Sequence, residues 1–235
     1  MQLSVKDTAA MLNVSEKTVY RWIQQSAIPY FKINEQYRFN RTEILEWATA
    51  RRMTVSPEIF REDSSGGLPL PSLVDAVRSG GINYRLGGDD QASVLQSIVE
   101  VLKLPEEVDR DFLYQVLLAR ESLGSTGVGN GIAIPHVRNP VVLHVSAPTV
   151  TLCFLEKPID FKALDNKPVN TFFAIISPTV RAHLHLLSRI GFALHNQDFK
   201  DSLMRQDPRD KILASLATAE AEIPASSAAV PAATP

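Results

Sequence analysis

The chain has 235 residues, 45% hydrophobic and 21% charged, with 24 Lys and Arg against 26 Asp and Glu for a formal net charge of −2. That length suits one large domain or two small ones with a core that needs no staples. The charge balance excludes a uniformly basic nucleic-acid coat and an acidic, solvating, disordered chain.

Cys153 is the one cysteine and lies in the apolar run 149–155. No disulfide can form within the chain, a Cys-based zinc site is excluded, and a lone core thiol suits a reducing compartment. The first residues carry no basic stretch followed by an apolar one, and no window of about 18 apolar residues exists. The expectation is a soluble cytoplasmic protein with no membrane insertion, no metal and no cofactor.

Residues 1–52 carry eight Lys and Arg against five Asp and Glu, a net +3, whereas the remainder is net −5. Such asymmetry points to two modules with different partners. Ser4 and Asp7 have the spacing of a capping box, which starts a short helix with Ala9, Met11 and Leu12. Asn13-Val14-Ser15 breaks it, and Ser15 caps a second helix with Val19, Trp22 and Ile23 on one stripe. Its other face carries Lys17, Thr18, Tyr20, Arg21, Gln24 and Gln25, and Pro29 is expected to stop it. Residues 30–33 and 36–39 alternate around Asn34-Glu35 as a hairpin, or wing. Asn40-Arg41-Thr42-Glu43 then starts a third helix with Ile44, Leu45 and Trp47 inward.

This order resembles the excisionase/MerR-like winged helix-turn-helix family, on the run Ser4-Val5-Lys6-Asp7 to Val19-Tyr20-Arg21-Trp22-Ile23 and on Tyr37-Arg38-Phe39. The resemblance implies DNA binding. Lys17, Thr18 and Arg21 would meet the groove or phosphates, Gln24 a base edge, and Lys32 and Arg38 phosphates. The same charges also suit a plain solvated helix face. A +3 module neutralises few phosphates, so specific binding would call for a homodimer on two half-sites.

Ser64-Ser65-Gly66-Gly67-Leu68-Pro69-Leu70-Pro71 has linker composition, placing a linker at 53–70. Beyond it Asp89-Asp90 caps a helix with the stripe Val94, Leu95, Ile98, Val99 and Leu102. A second helix carries Phe112, Leu113, Val116 and Leu117 and ends at Arg120. Residues 149–155 and 169–176 read as strands, and 181–195 as a helix with Leu187, Ile190 and Leu194 inward. Helices alternating with apolar strands argue an α/β sandwich over 71–223, and the chain as a whole an α+β, multi-domain fold. Residues 224–235, Ala, Pro, Ser and Thr with a single Val and no charge, read as a disordered tail.

Four glycines fall within residues 124–131, ahead of Ile132-Ala133-Ile134-Pro135-His136. A Walker A loop needs Lys where Asn130 stands, and a dinucleotide loop needs a third glycine where an isoleucine stands. Turned backbone N–H groups with the Ser125 and Thr126 hydroxyls would instead cradle an anion. Pro135 would hold His136 in place, and a neutral imidazole is a nucleophile near pH 7.

Arg120-Glu121, Gly124-Ser125-Thr126-Gly127-Val128-Gly129-Asn130-Gly131 and Ile132-Ala133-Ile134-Pro135-His136 resemble the IIA domain of the fructose/mannitol class of the bacterial phosphoenolpyruvate:sugar phosphotransferase system. Pro158-Ile159-Asp160-Phe161, Asp165-Asn166-Lys167-Pro168-Val169 and His183-Leu184-His185-Leu186-Leu187-Ser188 extend the match, which is closest to the nitrogen-regulatory, PtsN-type branch. The resemblance implies a mixed sheet flanked by helices and a phosphotransferase component that carries phosphohistidine. His136 would accept the phosphoryl group, on Nε2. His183 would assist it, Arg120 would stabilise the transferring charge, and Ser125, Thr126 and Asn130 would supply loop donors. Val137 stands where the family often has a small residue, which would alter the docking surface.

His183 leads the stripe of Leu187, Ile190 and Leu194, whereas His185 aligns with the polar Ser188 and Arg189. His144 and His195 read as structural. The implied partner is a phosphorylated HPr- or NPr-type carrier, with DNA, a regulatory target or a IIB protein beyond it. Two functions follow. One is a regulator that couples phosphorylation to DNA binding, or to transcription more generally. The other is a sugar-transport IIA component serving a separate IIB protein, with the first module used for docking. A pure DNA-binding protein on a degenerate IIA scaffold is disfavoured by the intact Arg120, His136 and His183.

Overall fold

A computed structural model describes residues 2–33, 36–51, 53, 70–137 and 145–223. Nearly all of the expected linker, the expected tail, His144 and the Asn34-Glu35 turn lie outside the described residues.

The N-terminal part comprises β1 (Gln2–Leu3), α1 (Val5–Met11), α2 (Glu16–Gln24), β2 (Phe31–Ile33), β3 (Gln36–Asn40) and α3 (Arg41–Ala50). Ser4 and Asp7 cap α1 reciprocally, and the Ser15 side chain accepts from the Thr18 N–H at the start of α2. The second helix ends at Gln24, five residues before the expected stop at Pro29. Ser26 turns left-handed there, at φ +51°, and Trp47 Nε1 donates to the Ala27 carbonyl at 2.5 Å. β2 and β3 form the expected hairpin, and β1, too short to announce itself, adds an edge strand to β3. Val19, Ile23, Phe39, Ile44 and Leu45 fill this small core.

The larger part contains α4 (Leu73–Gly80), β4 (Ile82–Leu86), α5 (Gln91–Val101), α6 (Arg110–Ser122), β5 (Gly127–Gly129), β6 (Ile132–Ala133), β7 (Thr149–Ile159), β8 (Val169–Ile176), α7 (Val180–Ala193), α8 (Gln197–Met204) and α9 (Arg209–Ala221). Five strands form one mixed sheet in the order β4-β7-β8-β6-β5. β7 and β8 pair antiparallel at the centre, while β4 and β6 join them in parallel. Side chains alternate across a strand. Val150, Leu152, Phe154, Phe173 and Ile175 therefore pack with α4, α7, α8 and α9, and Cys153, Leu155, Phe172, Ala174 and Ile176 with α5 and α6. The sandwich is as expected, with two corrections. The helix expected to end at Arg120 runs to Ser122, and Phe112, expected inward, is 48% exposed on it. Cys153 is wholly buried, and desolvation pushes its thiol up to about 12.

Gly80 is fixed by a close approach: a Cβ there would sit 2.2 Å from the Val150 carbonyl oxygen, so α4 lies directly on β7. The other end of α4 has orphan N–H groups to satisfy. Ser72 accepts from Asp75, and the Glu220 carboxylate of α9 accepts from Leu73 at 2.6 Å and Val74 at 3.1 Å. Arg189 of α7 reaches the same carboxylate at 3.2 Å. One side chain thus ties three helices. Glu220→Ala strips two N–H groups and an arginine of their acceptor, and it should destabilise the fold by roughly 2 kcal/mol or more. A fall in the urea midpoint with an unchanged slope would register it, and Glu220→Gln should lose less.

Candidate phosphoryl-acceptor site

His136 leaves β6 on a stretch that still follows strand geometry. It bridges Ile175 of β8 in parallel, and the Ile175 N–H donates to the Pro135 carbonyl at 3.1 Å. Alternation puts Ile132, Ile134 and His136 on the α7 face, and Ala133 and Val137 on the other. Val137 is therefore wholly buried against the α5–α6 core and not on a docking surface, contrary to expectation.

The His136 ring is held by its own strand. Nδ1 lies 2.7 Å from the Ile134 carbonyl oxygen. A carbonyl only accepts, so Nδ1 carries the hydrogen and Nε2 keeps the lone pair. Across from it is His183 of α7, with ring centroids 5.0 Å apart and planes tilted by 44°. His183 is 0% and His136 3% exposed. The stripe of Leu187, Ile190 and Leu194 that His183 leads is in the core, which is what aims His183 at the sheet.

The other expected site residues are arranged less simply. Arg120, in the last turn of α6, donates from Nη1 to the Gly124 carbonyl at 2.9 Å and so braces the loop that follows. Ser125 donates to the Phe161 carbonyl at 2.5 Å and accepts from the Gly127 N–H at 3.0 Å. Thr126 donates both its N–H, at 3.0 Å, and its hydroxyl, at 2.7 Å, to the buried carboxylate of Glu121. Both hydroxyls hold the loop together. Burial pushes the Glu121 carboxyl above its ordinary range, and the Thr126 bonds oppose that shift. Glu121 was given no role from sequence. Its only signal was an acidic residue five positions before a threonine, in a run read for its glycines.

The glycines mostly turn the chain. Gly129, Asn130 and Gly131 take φ values of +85°, +55° and +73°, reversing β5 into β6. Asn130 is exposed on that turn, its N–H donating to Asp165 Oδ2 at 2.8 Å. It lines a cavity of about 560 Å³ with Pro168, Asn170 and Lys200, a lining that does not include His136. At Gly127 a Cβ would meet that of Ala163 at 2.7 Å, so glycine there lets the 161–165 segment close over β5.

His185 departs from its expected polar face. It is 7% exposed, and its Nε2 lies 3.0 Å from the Pro71 carbonyl. His195 is exposed just beyond α7. In the N-terminal part Lys17, Arg21 and Gln24 form an exposed stripe at i, i+4 and i+7 along α2. Thr18 turns back to the capping Ser15, at 3.0 Å between hydroxyls. Lys32 sits 5.0 Å over the Tyr37 ring, and Arg38 donates to Gln36 Oε1 at 2.5 Å along its own strand.

Among the described residues no group of three or more His, Cys, Asp or Glu could hold a metal ion, and no helix is long and apolar enough to cross a membrane.

Residues 77–219 match the profile of the family described as "Phosphoenolpyruvate-dependent sugar phosphotransferase system, EIIA 2". Residues 3–52 match a helix-turn-helix domain. A "Nitrogen regulatory protein" of Pseudomonas aeruginosa is 39% identical over 120 residues, covering 49% of this chain and 75% of that one. A "PTS system fructose-specific EIIA component" of Haloferax volcanii is 36% identical over 106 residues, covering 44% and 67%. The crystal structure of nitrogen regulatory protein IIA-Ntr from Neisseria meningitidis superposes with a TM-score of 0.54 at 26% identity, covering 61% of this chain and 98% of that one.

The His185 environment carries a pH signature. Burial lowers its pKa below the ordinary value, partly opposed by the Pro71 carbonyl. The folded state then binds fewer protons than the unfolded one as pH falls below about 6.5. Its stability contribution is complete above that pH and declines from there towards the lower, folded pKa. Urea midpoints measured from pH 7.5 to 5 should fall in the wild type, and His185→Asn should remove the part of the slope that starts near pH 6.5.

Proposed function

Because this chain belongs to the phosphoenolpyruvate-dependent sugar phosphotransferase system EIIA 2 family, we propose that it is a regulatory phosphocarrier whose acceptor is Nε2 of His136. The donor is a phosphohistidine on an HPr- or NPr-type carrier. The observation that carries the assignment is the Nδ1 to Ile134 carbonyl contact of 2.7 Å, which leaves the lone pair on Nε2, facing His183. In the transfer the Nε2 lone pair forms the new N–P bond as the donor's P–N bond breaks, and that electron pair returns to the donor imidazole. Nδ1 keeps its hydrogen, and its bond to the Ile134 carbonyl strengthens as the His136 ring becomes cationic. His183 and Arg120 supply hydrogen bonds and positive charge where phosphoryl oxygens develop charge.

The N-terminal module favours regulation over sugar uptake. Residues 3–52 match a helix-turn-helix domain, and the exposed Lys17, Arg21 and Gln24 stripe of α2 suits a DNA groove. Phosphorylation adds about −1.5 to −2 charge and three acceptor oxygens, enough to change what the surrounding surface will dock. The chain is expected to work in the cytoplasm.

Incubation with phosphoenolpyruvate, enzyme I and a phosphorylatable HPr-type carrier should add one acid-labile phosphoryl group to the intact mass. His136→Ala should abolish it, and Arg120→Ala should slow it about 10²-fold. No gain with several carriers would refute the phosphocarrier assignment. In a mobility-shift series against salt, Arg21→Ala should weaken DNA binding and lower the slope of log K against log salt by about 1. An unchanged slope would mean that Arg21 meets no phosphate.

A further inference from the structure

Helix α3 of the N-terminal module rests on the helix that carries His183. It packs on α7 and also on the edge strand β5, which pairs with β6, the strand that leads to His136. On α7 the residues turned away from its own core are Leu184, Ser188 and Gly191, spaced i, i+4 and i+7. Leu184, next to His183, is 4% exposed because it belongs to the hydrophobic cluster of the N-terminal module, with Ile44, Leu45 and Ala48. Further along, the Thr49 methyl of α3 comes within 3.4 Å of where a Cβ on Gly191 would sit. Thr49 itself is 6% exposed. The His136 ring, packed against His183 of α7, is 3% exposed, and Nε2 is among its buried atoms.

We propose that docking of α3 on α7 is an autoinhibitory contact, so that the N-terminal module and a phosphoryl donor compete for the face above His136. The inference rests on His136 being the acceptor. A donor protein must bring its phosphorus atom in line with Nε2, at a near-attack separation of about 3–3.5 Å. A buried Nε2 admits no such approach, so α3 leaves before transfer. The product enforces the same exclusion. Three phosphoryl oxygens and their charge do not fit between His136 and an apolar contact centred on Leu184 without being buried at high cost. Phosphorylated His136 therefore holds the module released, and by linkage whatever holds the module docked disfavours the phosphorylated state by the same factor at equilibrium.

Tethering makes a small contact sufficient. Both modules are in one chain, so docking is intramolecular and is populated once its intrinsic Kd lies below an effective concentration in the millimolar range. Lys17, Arg21 and Gln24 are exposed in the docked state. Release thus uncovers α3 and the His136 face and leaves the α2 stripe open in both states. The switch consequently acts on the freedom of the module and on who reaches α3, rather than by masking α2.

The test uses the full chain with Thr49→Cys and Gly191→Cys together, since the one native thiol, Cys153, is wholly buried. Oxidation should form the cross-link and hold α3 on α7. Two readouts follow. Phosphoryl transfer from a phosphorylated HPr-type carrier should be at least tenfold slower in the oxidised form and recover on reduction. Carbethoxylation of His136 by diethyl pyrocarbonate, read by peptide mass, should show the same protection without any phosphotransfer. In the opposite direction Thr49→Arg should speed both reactions several-fold over wild type, with no change to the sheet or to α7.

Failure to form the cross-link, or equal rates in oxidised and reduced protein, overturns the inference. Residues 70–235 serve as the control. Their two core clusters contain no residue of the N-terminal module, and the Neisseria protein has this fold across 98% of its own length. If that piece is modified by the reagent but takes no phosphate, the phosphocarrier assignment fails, while protection in the oxidised full chain still upholds the contact as a cover over His136. If it takes phosphate and the oxidised chain does so equally fast, the contact is no inhibitor.

Discussion

The β7–β8 pair must satisfy its backbone with both faces out of water. Residues 150–155 and 171–176 are buried without a break, mostly apolar, so neither face there is left to solvent and helices cover both. That requirement fixes where α7 lies, because the helix is the lid on one face of β8. It also fixes the direction of β6, which joins β8 in parallel and delivers His136 at its end. The two histidines meet because a strand exit and a helix start are pressed together by the same apolar layer. Glu220 then locks α4, α7 and α9 around that layer through a single carboxylate.

Inside this frame, the chemistry of the site is set by backbone groups more than by side chains. The Ile134 carbonyl chooses the tautomer of His136. Ser125 and Thr126 are turned towards Phe161 and Glu121, and the glycine run builds a hairpin and a close approach. Such a loop is held by its own hydrogen bonds, and the proposed transfer between two histidines would call for surroundings fixed in this way. A buried carboxylate next to an arginine is costly unless hydrogen-bonded, and Thr126 supplies both bonds.

Two modules on one chain need a reason to sense each other. Here the reason is steric and local: α3 rests on the helix that carries His183, and Thr49 fits because residue 191 has no side chain. In the proposed switch, charge added at His136 would arise next to His183, on the helix that α3 touches. The coupling therefore needs no path through the fold.

The helices with polar caps and clear stripes could be read directly, because a cap and its period are local: Ser4, Ser15 and Asp90 start the helices they were expected to start. His136 was legible from Pro135 and the glycines before it, and His183 from the stripe it leads. The strand pair was legible from its apolar runs, whereas two-residue β1 and β6 have too little pattern to announce themselves. Periodicity says which face is apolar but not what lies against it. His185 therefore read as exposed although Pro71, 114 residues earlier, covers it. Val137 read as surface although it packs with α5 and α6, and Phe112 as core although it is half exposed. The bond of the Asn130 N–H to Asp165 and the packing of α3 on α7 were decided in the same way. Each depends on segments distant in sequence meeting in space, and burial is a property of the neighbours as much as of the residue.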